Sequence, residues 1–278
     1  GGHGLSESAR KMKFRFPHAI WKHRELWWRL TEREVLGRYR GSALGIGWSF
    51  ITPLAMLAVY TFVFSQVFKA RWGGLEQTGP LGFAVNLFAG LIVFNLFSEC
   101  VSRAPGLVLA NPNYVKKVIF PLEVLGSVAV GSASFHAMTS LIILIVFELV
   151  AFRQLPITLL WLPAVWLPLV LGSLACTWIL SAGGVFLRDI GQLIGVALNM
   201  LMFLSPIFFP VSALPGRWQP ILALNPLAQV IEQTRRVAVQ GLNPEPGYVL
   251  VGTLITGIAC ELSFRAFQKS KGAFADVI

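Results

Sequence analysis

Charge is scarce in this sequence. Lys, Arg, Asp and Glu together make 13% of its 278 residues, about half the share of a soluble domain. Cysteine is scarcer still. Cys100, Cys176 and Cys260 are odd in number and never spaced as CxxC, so neither a disulfide framework nor a zinc site is indicated; each reads as a small buried apolar residue. No GxxxxGK[ST] phosphate loop occurs, so any force drawn from ATP must come from a partner. HExxH, GxSxG and a plausible Ser–His–Asp set are also missing, which removes the common metalloprotease and hydrolase readings. No short apolar run with a cleavage site precedes the basic leading segment, so the start does not read as a signal peptide. Gly1-Gly2-His3-Gly4 reads as a tag scar.

What fills the chain instead is apolar sequence. Hydrophobic residues make 55% of it, and mean hydropathy is +0.67. A bilayer core of about 30 Å takes about 20 apolar residues of helix, and inside it every backbone polar group must be paired. Six stretches qualify: Leu44–Phe68, Phe83–Cys100, Leu125–Phe152, Ile157–Leu187, Ile190–Phe209 and Tyr248–Phe267. They leave no room for a second soluble domain. The expected fold is an all-α polytopic integral membrane protein with six transmembrane helices, an N-terminal amphipathic interfacial helix and a re-entrant helical hairpin before the last span. Residues 1–17 form a scar and basic tail, 18–40 the interfacial helix and 41–278 one transmembrane domain.

The net charge of +10 could suggest nucleic acid, but the cations sort by membrane side. With the N-terminus inside, 17 Lys and Arg lie inside and six (Lys69, Arg71, Arg153, Arg217, Arg235 and Arg236) outside. The positive-inside rule places both termini in the cytoplasm, and no nucleic-acid partner is expected.

Within the leading helix Lys22, Glu25, Arg29 and Arg33 share a face, while Ile20, Trp27, Trp28, Leu30 and Val35 lie mainly opposite. Such a helix suits the headgroup layer; Arg24, Thr31 and Arg38 interrupt its apolar arc. In the first span Pro53 is tolerable, and Tyr60, Phe64 and Phe68 form an aromatic stripe at spacing four. Between the second and third spans, two prolines bracket Asn113–Phe120, enough for one or two helical turns. After the fifth span, Ser205-Pro206-Ile207-Phe208-Phe209-Pro210 opens a Pro-broken apolar stretch. Its pieces, Trp218–Leu224 and Leu227–Val239, are too short to span, so residues 211–247 read as two helices that dip in from outside and return. They are a candidate outer gate, with Pro210, Trp218, Asn225, Pro226, Arg235 and Arg236 as its residues. His136, alone in the third span, reads as a helix–helix hydrogen-bond partner. Glu99, Glu123, Glu148 and Glu261 lie near span ends, where they form no proton relay across the centre. An ion-driven secondary transporter is thereby disfavoured, as it is by the lack of an inverted repeat. An intramembrane sugar transferase is disfavoured by the lack of clustered carboxylates, histidines or metal ligands.

The run Glu34-Val35-Leu36-Gly37-Arg38-Tyr39-Arg40-Gly41-Ser42-Ala43-Leu44-Gly45-Ile46-Gly47-Trp48-Ser49-Phe50-Ile51-Thr52-Pro53-Leu54 resembles the start of permease subunits of polysaccharide-exporting ABC transporters. Ala110-Asn111-Pro112 with Val115-Lys116-Lys117, the Ser205–Pro210 run, and Asn225-Pro226-Leu227 with Arg235-Arg236 match in order along nearly the whole chain. The first run is more similar to the O-antigen branch than to the capsule or teichoic acid branches; Gly47 departs from the bulkier residue expected there. The resemblance implies six spans per subunit, a second copy of the chain around a twofold axis, and two ABC ATPase subunits that bind ATP and Mg. The chain itself would hold no cofactor. It also implies an undecaprenyl-type lipid-linked polysaccharide as cargo and the bacterial inner membrane as location.

On that reading the Asn113–Phe120 segment is the candidate coupling helix, with Asn113, Tyr114, Lys116 and Lys117 at an ATPase groove beside Arg188 and Asp189 of the Leu187–Ile190 turn. The alternative is a basic loop on anionic lipid. Tyr60, Phe64, Phe68, Phe94, Phe97, Phe203 and Phe208 are candidates to line a conduit, since flat rings can stack on sugars without gripping one hydroxyl pattern; the alternative is helix packing or lipid contact. Arg24, Arg29, Arg38 and Arg40 are placed where a lipid pyrophosphate would arrive, guanidinium forks matching phosphate oxygens; the alternative is anchoring alone.

Overall fold

The computed structural model describes residues 15–67, 79–116 and 119–277. Two helices, α1 (Phe16–Lys22) and α2 (Arg24–Arg38), precede α3 (Trp48–Phe62), which begins from a 3₁₀ turn, Gly45–Gly47, and leaves through a π turn, Val63–Val67. Then come α4 (Gly79–Arg103), the single turn α5 (Pro112–Val115), α6 (Glu123–Phe152) and α7 (Leu162–Phe186). The chain closes with α8 (Ile190–Phe203), α9 (Gln219–Ala223), α10 (Pro226–Ala238) and α11 (Pro246–Val277). No strand occurs among the described residues. Proline sits in the first turn of α5, α7, α9 and α10, where its missing N–H leaves no intrahelical bond unmade.

Among the described residues five helices are long and apolar enough to cross a membrane: Gly45–Phe62, Leu81–Gly106, Glu123–Phe152, Ile157–Phe186 and Pro246–Val277. The fifth expected span differs. α8 has 14 residues, a rise of about 21 Å, and beyond Phe203 the chain runs on as irregular backbone to Pro210.

α4 is the hub, packing against α3, α6, α7, α8 and α10. Its residues from Phe83 to Cys100 supply much of the core. α7 and α11 make the most extensive helix pair, with Gly172 facing Thr256 and Gly252 facing Pro168. Small residues let helices approach where lipid supplies no hydrophobic drive. At Gly126 an added Cβ would lie 2.8 Å from the Trp178 ring, whose Nε1 donates to the Glu123 carbonyl at 2.9 Å. At Gly184 it would lie 2.2 Å from the Pro105 carbonyl, so the turn Ala104–Gly106 is seated on the end of α7.

α6 and α11, of 30 and 32 residues, rise about 45 and 48 Å, well beyond a core of about 30 Å. Their excess lies at one end, where Lys271 Nζ donates to Glu123 Oε2 at 3.1 Å. There Glu261 Oε2 accepts from the Arg15 and Phe16 amides at 2.7 and 3.2 Å, and its Oε1 from Arg265 Nε at 2.7 Å. Glu148, near the other end of α6, is buried with no hydrogen-bond partner among the described residues.

The leading helix departs from its expected form. It breaks at His23 into α1 and α2, and α2 packs along α6. Leu30, Thr31 and Val35 are buried, and Trp27 Nε1 donates to the Ser127 carbonyl at 2.9 Å. Thr31, expected to interrupt the apolar arc, faces Gly131 with its hydroxyl bonded to the Trp27 carbonyl, which removes the polar cost of its burial. Trp28 does not join the packed face; it is 63% exposed, and Trp21 is 70% exposed.

Gly184→Val should therefore lower the thermal unfolding temperature of the detergent-purified chain, because backbone sits where the side chain would go and overpacking costs about 1–3 kcal/mol or more. Gly172→Ala, whose Cβ meets Thr256 at 3.6 Å, should be tolerated in the same assay.

Candidate functional site

A cleft of about 520 Å³ opens between α3, α4 and α6. Its walls carry Trp48, Tyr60 and Phe88 together with Thr52, Asn95, Ser98, Thr139 and Ser140. At its rim lies an ionic cluster drawn from three helices. Arg38 Nη2 is 2.9 Å from Glu99 Oε1, and His136 Nδ1 is 3.0 Å from both Glu99 oxygens. Arg38 Nη1 is 3.0 Å from the same ring nitrogen. With its proton on Nδ1 the ring donates to Glu99; with it on Nε2, Nδ1 accepts from Arg38. Arg103 reaches Glu99 at 3.9 Å and forms a closer ion pair with Glu34 of α2. His136 is thus a helix–helix hydrogen-bond partner, as expected, with α4 as the other helix. Arg38 belongs to the cleft. Arg24, Arg29 and Arg40 do not: all three are exposed, and the Arg24 guanidinium lies over the Trp21 ring at 5.3 Å.

The aromatic residues divide among different surroundings. Tyr60 lines the cleft. Phe64 stacks on Phe83 at 5.0 Å. Phe97 lines a second, mostly apolar cavity of about 820 Å³ between α7, α10 and α11. Phe203, 69% exposed, stacks on half-buried Phe208 at 5.9 Å. Phe94 must be corrected: it is 5% exposed and packed in the core of the subunit, so it cannot line a conduit. Phe68 lies outside the described residues.

The pre-terminal hairpin is held more firmly than a free flap. Arg235, fully buried, donates Nε to the Asn86 carbonyl at 2.9 Å, Nη1 to the Pro206 carbonyl at 2.5 Å and Nη2 to the Ile207 carbonyl at 2.9 Å. It also pairs with Glu232 at 3.0 Å. Gly90 makes room for it, since a Cβ there would lie 2.8 Å from Nη2. Asn225 caps α10 through the Leu227 amide at 3.0 Å and donates to Ser205 Oγ at 2.9 Å. Trp166 Nε1 bonds Thr234 Oγ1, and Thr158 Oγ1 bonds the Val237 carbonyl. Arg236 donates instead to the Asn243 carbonyl at 2.6 Å. Pro226 and Trp218 are exposed, with Arg217 over the indole at 5.6 Å, while Pro210 is half-buried.

At the end where α4 and α7 finish, the seated Pro105 turn brings the α4–α6 connection to the start of the Leu187–Ile190 turn. Asn113 and Lys116 are exposed on α5 and just after it, as are Arg188 and Asp189. Tyr114 is tied inward, stacked on Phe120 at 4.2 Å and accepting from Arg33 Nη2 at 3.1 Å. Lys117 lies outside the described residues.

Sequence reading singled out Glu99 and His136 but gave neither a site role. Asn95, Glu99 and Arg103 recur every four residues in α4, and His136 and Ser140 in α6; a polar stripe on an apolar helix marks a face turned to a cavity.

The family model of the ABC-2 type transporter matches residues 25–238. Among similar curated proteins is the O-antigen export system permease protein RfbA of Myxococcus xanthus, 26% identical over 267 residues, 95% of this chain and 99% of that one. Its counterpart in Klebsiella pneumoniae is 25% identical, covering 90% and 93%. The polysialic acid transport protein KpsM of Escherichia coli is 27% identical, covering 82% and 84%.

Replacing Arg235 by Met would leave three carbonyls without their donor, at about 1–3 kcal/mol each. The expected outcome is loss of most folded protein in fluorescence-detected size exclusion. Arg236→Met, which removes only exposed contacts to the Asn243 carbonyl and Glu245, should retain it.

Proposed function

We propose that this chain, which belongs to the ABC-2 type transporter family, is the membrane-spanning subunit of an ATP-driven exporter of a lipid-linked polysaccharide of O-antigen type. The observation that carries the reading is the near full-length similarity to O-antigen export permeases, 95% and 90% of this chain. The similarity to a capsule-type transport protein, over 82% of it, keeps capsular polysaccharide as the second reading; teichoic acid export would use the same mechanism.

In this reading the force comes from two separate ATPase subunits that bind ATP and Mg. The exposed α5 region and the Arg188-Asp189 turn, at one end of the bundle, take the push. The Pro105–Gly184 seat carries it into α4 and α7 together. A second copy of the chain completes the conduit. α3 and α8 favour this, for each is exposed nearly all round: only Ser49 and Leu57 are buried in α3 and only Leu198 in α8. Both termini are placed in the cytoplasm of a bacterial inner-membrane protein, where the basic collar of α1, α2 and the end of α11 meets anionic headgroups.

Purification from native membranes should bring down a P-loop ATPase, with ATP hydrolysis present in the complex and absent from the chain alone. Charge reversal at Lys116 and Lys117 should reduce recovery of that ATPase severalfold while insertion is unchanged. Transport by the purified chain without a companion ATPase would overturn the reading.

A further inference from the structure

The guanidinium at the cleft rim already has a carboxylate partner within the subunit. Arg38 and His136 both address Glu99, at 2.9 and 3.0 Å. The Arg38 side chain is 46% exposed, whereas those of His136 and Glu99 are 15% and 19% exposed. The carboxylate thus sits behind an accessible guanidinium, at the edge of a cleft lined by Trp48, Met56, Tyr60 and Phe88 together with Thr52, Asn95, Ser98, Thr139 and Ser140. A charged rim beside a cleft of rings, aliphatic groups and hydroxyls suits an amphiphile with an anionic head. A carboxylate and a phosphate present similar oxygens to a guanidinium fork.

Resting on the lipid-linked reading above, we propose that Glu99 is an internal counter-ion holding the seat of a diphosphate headgroup, and that the headgroup binds Arg38 and His136 by displacing it. The displaced carboxylate has a second partner ready. Arg103 stands one helical turn further on, 3.9 Å away, so Glu99 can turn toward it and share it with Glu34, its present partner. Glu99 also sets a threshold. A phosphodiester lipid with one negative charge gains little by exchanging one carboxylate for itself, whereas a diphosphate brings more charge and more acceptor oxygens. The cluster therefore selects the carrier lipid from a membrane full of ordinary anionic phospholipid.

The test uses the complete complex with its ATPase subunits in phosphatidylcholine nanodiscs. The probes are farnesyl diphosphate, farnesol, inorganic pyrophosphate and added phosphatidylglycerol, with affinity read from tryptophan fluorescence. The wild type should bind farnesyl diphosphate in preference to farnesol. Glu99→Gln should bind it about tenfold tighter, the effect of one removed competing contact, and should now also be inhibited by phosphatidylglycerol. Arg38→Ala should bind the diphosphate no better than farnesol. If Glu99→Gln fails to fold, Glu99→Asp, with a shorter reach to Arg38, should tighten binding in the same direction. Unchanged or weaker diphosphate binding in the Glu99 variants, with the wild-type preference intact, would overturn the counter-ion role and leave the lipid-linked reading standing. No wild-type preference for diphosphate over farnesol would sink both. Pyrophosphate binding as tightly as farnesyl diphosphate would identify a site for free anions and overturn the proposal.

Discussion

Irregular backbone among transmembrane helices is tolerated only where the protein itself satisfies the carbonyls and amides, because lipid offers no donor. The stretch from Leu204 to Pro210 ends α8 after 14 residues and exposes such groups. Arg235 meets that demand: one guanidinium takes the carbonyls of Pro206, Ile207 and Asn86, joining the chain break, α10 and the central α4. A lysine could not do this, since its point charge lacks the fork geometry. The remaining features of that half of the molecule follow from housing this group. Gly90 clears space for it, Asn225 fixes the start of its helix against Ser205, and Trp166 and Thr158 hold the helix from outside. These bonds tie the hairpin to α4. Around α9 the hairpin leaves Trp218, Ile221 and Leu224 exposed.

α4 is thus shared by two polar systems. Near one end, around Asn86 and Gly90, it receives Arg235; near the other, Glu99 and Arg103 face α2 and α6. A displacement of the inner cluster acts on the same rigid helix that carries the hairpin. The Pro105 turn follows α4 directly and is seated on Gly184 without room for a methyl group, so motion at that end passes to α7 by contact between backbones, with no side chain to yield.

Much of the fold was legible from the sequence because apolar length and proline position are strong constraints. The boundaries of α6, the two hairpin pieces and the long last helix fall within a few residues of expectation, apart from the tail of α11, which runs past Phe267 to Val277. The tail was missed because hydropathy marks the bilayer and is blind to helix that continues beyond it. The packing of α2 on α6 was not legible for a related reason. Periodicity counts polar residues as solvent-facing, but Thr31 bonds its own helix and packs on Gly131. Arg235 was read as an outside charge because its partners are main-chain carbonyls, which no sequence pattern displays. The site was legible in part: Arg38 and Tyr60 reach the cleft, Phe94 does not, and the role of Glu99 depends on three helices meeting at one point.

The cleft and the uncovered helices are linked by α3. Trp48, Thr52, Met56 and Tyr60 of α3 form one wall of the cleft, while Phe50, Ile51, Leu54 and Phe62 of the same helix are exposed. A change in the tilt of α3 would therefore alter the width of the cleft against α4 and α6. A second copy resting on the exposed face of α3 would couple that tilt to the state of its neighbour. An anionic head arriving at Arg38 would then be sensed at the subunit boundary through α3, and at the hairpin through α4, from a single seat.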